Sequence, residues 1–338
     1  MKNKYIFGIL SLILICILFY LYTYNSKQKF EFSKNHVYEY EFAVMNKSFK
    51  RDLERSVILY KSFEKYFINA ENTPFFIVIP LKDWQLFLDR FNTLKSNNEI
   101  KKIPNFMTEQ EIFQRCGDED ISEDGGKAQQ VVKLCFGSTK LARNYLMMDS
   151  DNYFLRNFDY KILFDNYIPK TTSWKLPNSV IEDSKKLYLG YGTSPILRNQ
   201  ERMTAYDMRM FMKEFFGNKH SKHYGFVISP FLFNSDALFR MKDFIKEKGG
   251  YKFSHLIKLI GFEMQWYGEY VLQHEHFIPM NGIFKHIGSP DECHSENPSQ
   301  DNYGFWFQSI IYEKDSMRDN PKLVYKRPEH CPVEIPQH

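Results

Sequence analysis

Two aspartates one residue apart, Asp149 and Asp151, close an apolar run in NYLMMDSDNYF, residues 144–154. Carboxylates so placed can cap a solvated turn, supply a nucleophile, or hold a divalent cation. A calcium loop needs further oxygen ligands at fixed spacing and a glycine in the loop. Position 153 is Tyr and no glycine follows, so that reading fails. An aspartyl nucleophile for phosphoryl transfer is normally followed by glycine and threonine at the fourth and fifth positions. Asn152 and Tyr153 stand there instead. A cation such as Mg²⁺ or Mn²⁺, which takes hard oxygen ligands, fits the pair better.

The surrounding elements decide where such a pair would sit. Residues 36–45 (HVYEYEFAVM) alternate aromatic and smaller groups and read as a strand. Leu53, Val57, Tyr60, Phe63 and Phe67 recur at helical spacing. TPFFIVIP is a short apolar run between prolines, hence a buried strand, and LKDWQLFLDRF returns to helical spacing. This β-α-β-α order predicts a layered α/β domain with a largely parallel sheet. Residues 109–126 read as an acidic loop in which Glu111–Cys116 could form a strand. Residues 126–142 read as a helix feeding the strand that ends at Asp149. In open α/β sheets ligands bind beyond the carboxyl ends of the strands, which is where the aspartates fall. In the second half, residues 186–199 and 223–234 read as strand-to-loop segments. Residues 235–250 read as a helix capped by Ser235 or Asp236, residues 251–277 as mostly helical, and residues 305–314 as a late strand.

The chain has 338 residues, 45 Lys and Arg against 41 Asp and Glu, and 17% aromatic residues. A net charge of +4 without an Arg-rich stripe argues against nucleic acid. Residues 5–24 carry no charge and, at 1.5 Å per residue, reach roughly 30 Å, the thickness of a bilayer core. The run is longer than a signal peptide's apolar region and ends in Phe19, Tyr20, Tyr22 and Tyr24, an interfacial aromatic belt. The expected layout is a tail at 1–4, a single-pass anchor at 5–24, a stem at 25–36 and one large domain at 37–338. Beyond the anchor, Cys116, Cys135, Cys293 and Cys331 permit up to two disulfides. Asn46-Lys47-Ser48 is a glycosylation sequon.

The stretch AQQVVKLCFGSTKLARNYLMMDSDNYFLRNFD resembles the central block of GT-A-fold glycosyltransferases. There a lysine-bearing helix precedes a hydrophobic strand, Asp-x-Asp, an aromatic and a second Asp. FIVIPLKDWQLF, YGTSPILRNQERM and WYGEYVLQHEHF resemble further segments of one such family in the same order. The resemblance covers roughly residues 37–290. It implies an α/β, GT-A-like nucleotide-sugar-binding domain with a mixed, mainly parallel central sheet flanked by helices. It also implies a sugar transferred from a nucleotide-diphosphate donor to a glycan, protein or lipid. A divalent metal, Mn²⁺ or Mg²⁺, would offset charge on the departing diphosphate.

Residue by residue, the resemblance makes Asp151 a metal ligand. Asp149 shares the metal or faces the ribose and donor sugar. Asp83 falls at the nucleotide end of the crevice, or is a helix N-cap. Gln130 and Lys133 lie three apart on one helix face on the donor side, and Lys133 meets the diphosphate or is a solvated lysine. Glu269 matches a helical glutamate that could act as base toward the acceptor hydroxyl, or be a satisfied buried carboxylate. His286 resembles a third metal ligand, although its usual continuation is degraded to Ser289-Pro290. His274 and His276 lie two apart and cannot share a helix face. The anchor-stem-domain layout implies a type II protein of the Golgi or another secretory lumen, or of a bacterial envelope. The alternatives are a non-catalytic tethered glycan- or protein-binding domain of the same fold, and a metal-dependent phosphohydrolase.

Overall fold

The computed structural model describes residues 36–154, 157–186, 203–226 and 229–280, with strands at 188–189, Phe284–Ile287 and Gly304–Phe307. The predicted anchor, Cys293 and Cys331 lie outside the described residues. Among the described residues no helix is long and apolar enough to cross a membrane. The chain divides between Glu39 and Tyr40, and the unit beginning at Tyr40 carries the central sheet.

That sheet is mixed and mainly parallel, with helices on both faces. Strands β1 (Tyr40–Lys47), β2 (Phe75–Ile79), β3 (Asn105–Thr108) and β4 (Ala142–Asp149) are parallel, and Phe231–Asn234 pairs antiparallel to β4. The order across the sheet is Phe231–Asn234, β4, β1, β2, β3. From β1 the chain steps outward through β2 to β3, then returns to lay β4 on the other side of β1. The order therefore reverses between β1 and β4, the place where such sheets open a ligand crevice beyond their carboxyl ends.

Side chains alternate across each strand. Phe42, Val44, Phe75, Ile77, Ile79, Leu146 and Met148 face one buried cluster with Val57, Tyr60, Phe63, Phe87 and Phe91. These come from helices α1 (Leu53–Tyr66) and α2 (Trp84–Ser96). Ala43, Met45, Phe76, Val78, Tyr145 and Met147 face the other cluster. It is built with α3 (Glu109–Cys116), α4 (Gly125–Cys135), α6 (Ala205–Phe215), α7 (Ser235–Gly249), α8 (Phe253–Leu259) and α9 (Glu263–His274); a short α5 spans Asn178–Ser184. Both faces are covered, which is why the strands read as continuous apolar runs.

Three local expectations are corrected. Glu109–Cys116 is a helix, because Thr108 and Glu111 form a reciprocal capping box. The predicted helix of 126–142 stops at Cys135. A 3₁₀ turn follows, and Lys140, in the left-handed region at φ 60°, redirects the chain into β4. The cap of α7 is Asn234, whose Oδ1 accepts the Ala237 N–H at 2.9 Å. A disulfide joins Cys116 to Cys135, tying the ends of α3 and α4.

Candidate active site

Strand alternation fixes the direction of each residue at the crevice. Asp149 continues the face of Tyr145 and Met147 toward α4 and α9, whereas Ser150 turns toward α1. On the first side Lys133, buried near the end of α4, donates to Asp149 Oδ1 at 2.8 Å and to Glu263 Oε1 at 2.9 Å. Burial alone would lower the lysine's pKa, but the two carboxylate charges outweigh it and hold the amine above its ordinary value. One cation between two carboxylates leaves this triad net negative.

On the other side, Ser150 belongs to a buried polar knot. Ser56 Oγ bonds Ser48 Oγ at 2.7 Å and donates to Asn46 Oδ1 at 2.9 Å. Ser150 Oγ lies 3.1 Å from Ser48 Oγ, and Asn46 Nδ2 donates to the Met148 carbonyl. The knot welds the ends of β1 and β4 to α1, so the backbone between the aspartates is held rigidly. It also removes the sequon from consideration, because Asn46 is wholly buried. The Asp149 N–H is shared by Asn152 Oδ1 and Ser229 Oγ, each at 3.1 Å, and the Ser229 hydroxyl donates to Asn152 at 2.5 Å. Asn152 Nδ2 is buried with no partner.

Beside Asp149 in register, Lys47 ends β1. Its amine is buried, pairs with Glu109 at 3.0 Å, and lies 3.5 Å from the centre of the Phe49 ring. Burial pushes it down to about 8 despite the attraction of Glu109.

The structure thus brings Asp149 and Lys133 into direct contact. Gln130 lies one turn earlier on α4, against Gly261, with its Oε1 buried and unpartnered. Asp83 is buried after β2, and its Oδ2 accepts the Lys50 N–H at 2.9 Å. Its side chain makes no cap bond to α2, so it fastens the β1 loop instead. Asp151 is half-buried in the turn after β4. Glu269 belongs to a different place. It is buried on α9, six residues beyond Glu263, and accepts hydrogen bonds from Asn218 at 2.7 Å and Gln265 at 2.8 Å. Burial pushes its carboxyl up to about 7. At 1.5 Å per residue it sits roughly 9 Å along the helix from the triad and on another face. His286 lies on the Phe284–Ile287 strand, and its side chain is outside the described residues. His274 ends α9 and His276 lies beyond it.

Among the described residues, the grouping of three possible metal ligands is Cys116, Asp118 and Cys135. Those sulfurs are joined in the disulfide, and Asp118 accepts the Phe253 and Ser254 N–H groups at the start of α8, so this is not a metal site. Sequence reasoning missed Glu263, Lys47 and Ser229. Glu263 looks like an ordinary first-turn acid, and Ser229 lies 80 residues from its partner Asp149. The signal available for Lys47 was a lysine closing an otherwise apolar strand.

A family model matches residues 42–318, and the chain belongs to that family, the family of unknown function DUF6492. No curated protein matches. Among solved structures, the apo form of the bifunctional glycosyltransferase WbbM is similar at 12% identity and a TM-score of 0.47. That match covers 80% of this chain and 46% of the other, so this chain spans about half of that protein's length.

Proposed function

We propose that this DUF6492 member is a glycosyltransferase that moves a sugar from a nucleotide-diphosphate donor to a glycan, protein or lipid acceptor. The observation that carries the reading is Asp149-Ser150-Asp151 at the carboxyl end of β4, beside the reversal in strand order, with Asp149 held by Lys133, whose amine Glu263 also holds. The layout is the one the GT-A resemblance implies.

The donor set suits a hard divalent cation such as Mn²⁺ or Mg²⁺. Asp151 and Asp149 offer carboxylate oxygens, and the Lys133 triad leaves local negative charge for a cation to offset. His286 is proposed as a further ligand. When bound, the ion would polarise the diphosphate oxygens. The chain's own residues do the rest. Lys133 orients Asp149. The Ser48, Ser56 and Ser150 knot fixes the turn. Asp83 holds the β1 loop at the nucleotide end, and Gln130 offers an unpaired acceptor to a donor hydroxyl. Glu269 is proposed to serve the acceptor side, where a carboxyl raised by burial can exchange a proton near neutrality.

The apolar segment 5–24 is proposed as a type II anchor holding the domain in a secretory lumen or cell envelope. The Cys116–Cys135 disulfide supports an oxidising compartment. The test is hydrolysis of UDP- and GDP-sugars by the purified chain with Mn²⁺. Release of nucleotide that Asp151→Ala abolishes is expected. No turnover of any donor, with Asp151→Ala indistinguishable from wild type, sinks the reading and favours a non-catalytic binding domain. Phosphate release from a generic ester would instead favour a phosphohydrolase.

A further inference from the structure

The polar group around Glu269 has a different balance from the triad. Arg209 on α6 is half-buried, and its Nε and Nη1 atoms are buried without a hydrogen-bond partner. His223 Nδ1 is in the same condition. Neither deficiency is made up by Glu269, whose two oxygens are taken by the neutral amides of Asn218 and Gln265. Lys213 spends its amine on the His220 carbonyl at 2.7 Å. Arg209 and Lys213 both feel the Glu269 charge, but no ion pair within 4.0 Å joins either to it among the described residues.

A guanidinium presents a planar fork of donors that matches a carboxylate or phosphate, and leaving such donors buried and unpaired is costly. Two cations face one carboxylate here, so the surplus charge is positive. The walls are firm. A Cβ on Gly268 would fall 2.2 Å from Phe226, and one on Gly225 would fall 2.9 Å from Trp174. The segment His223–Phe226 therefore lies close against α9, and Gln265 fixes it by accepting the Phe226 N–H.

We infer that Arg209, with His223 beside it, receives an anionic group, a carboxylate or phosphate, carried by one of the two sugar substrates. The inference rests on the glycosyltransferase reading and narrows it to acidic substrates. Its chemistry is shared by two sources: an acid on the transferred sugar, such as a uronic acid, or an acid on the acceptor.

The test is calorimetric titration of the full chain in detergent micelles, with inorganic phosphate and with glucuronate, first alone and then with Mn²⁺ and UDP saturating. Wild type is expected to bind at least one probe under both conditions. Arg209→Gln should weaken that binding by about tenfold or more, since a charged hydrogen-bonded contact is lost, while UDP binding stays within about twofold. Comparing UDP-glucuronate with UDP-glucose separates the sources. A preference of about tenfold that R209Q erases places the acid on the donor. Equal donor binding, with probe binding additive to UDP, places it on the acceptor.

Should R209Q fail to fold, His223→Gln is read in its place, with a weakening of at least about threefold expected. Failure of UDP to bind with Mn²⁺ would defeat the glycosyltransferase reading while the probe titration still reports on Arg209. The proposal is overturned if neither probe binds and donors are not discriminated. It is also overturned if the folded variant binds the probes as wild type does.

Discussion

Helix α9 carries two carboxylates into two buried polar clusters, and they are satisfied in opposite ways. Glu263 meets a lysine directly, and Lys133 in turn holds Asp149, so a single cation is divided between two acids. Glu269 is satisfied by amides while two cations stand near it unpaired to it. The first cluster is net negative and lies at the carboxyl end of β4. The second is net positive and lies further along the helix. One cluster has the charge to attract a cation, the other to attract an anion. On the proposed reading, a metal-bound diphosphate and a separate substrate group would need both signs close together but not touching, the spacing that α9 gives its two carboxylates.

Breaking the first cluster should have the largest effect. Lys133→Met leaves two carboxylates without their cation, and removing one partner of a buried pair costs about 3–5 kcal/mol. Urea unfolding should show a loss of that size; a loss under about 1 kcal/mol would mean the triad is not desolvated. The second cluster should reveal itself through pH. The Glu269 carboxyl is raised from 4.5 to about 7, so its stabilising share is present below 4.5 and is lost as pH rises through 7. Over that window the wild type should lose on the order of 3 kcal/mol relative to Glu269→Gln, measured as the difference in unfolding free energy at pH 5 and pH 8. Parallel pH profiles for the two proteins would show that Glu269 is ionised throughout.

Ser150→Val tests the rigidity of the turn. It strands Ser48 and Asn46 without their shared partner, and a cost of about 1–3 kcal/mol is expected. Weaker nucleotide binding should accompany it, and a variant that unfolds like wild type would show the knot to be dispensable. The smallest effect is expected from Arg209→Gln without ligand. Its Nε and Nη1 atoms hold nothing, so the melting temperature should stay within about 2 °C of wild type. A fall of more than about 5 °C, with probe binding unchanged, would make Arg209 a structural counter-charge to Glu269 instead of a receptor.

The sheet was legible because the strands are buried on both faces and therefore read as apolar runs between turn signals. Asp149 and Lys133 were legible as a strand end and the helix before it, within 16 residues of each other. Glu263 and Ser229 were not, because their partners lie far along the chain and a first-turn glutamate carries no mark of a tertiary role. Residues 109–116 were misread because their acidity outweighed the Thr-x-x-Glu capping signal that makes them a helix. Glu269 was identified as a carboxylate of interest, but only packing could reveal that amides, not the nearby cations, satisfy it. Nothing in the sequence marks Arg209, because only packing leaves its Nε and Nη1 buried and unpaired.

On the proposed reading, Asp149-Ser150-Asp151 holds a cation for a nucleoside diphosphate. Calorimetric titration of UDP and GDP into the full chain, with and without Mn²⁺, tests it most directly in wild type and Asp151→Asn. Nucleotide binding is expected to need Mn²⁺ and to weaken by about a hundredfold in the variant, the loss that follows when one charged contact to the ion is removed. Binding that ignores Mn²⁺, or that survives unchanged in Asp151→Asn, would contradict it.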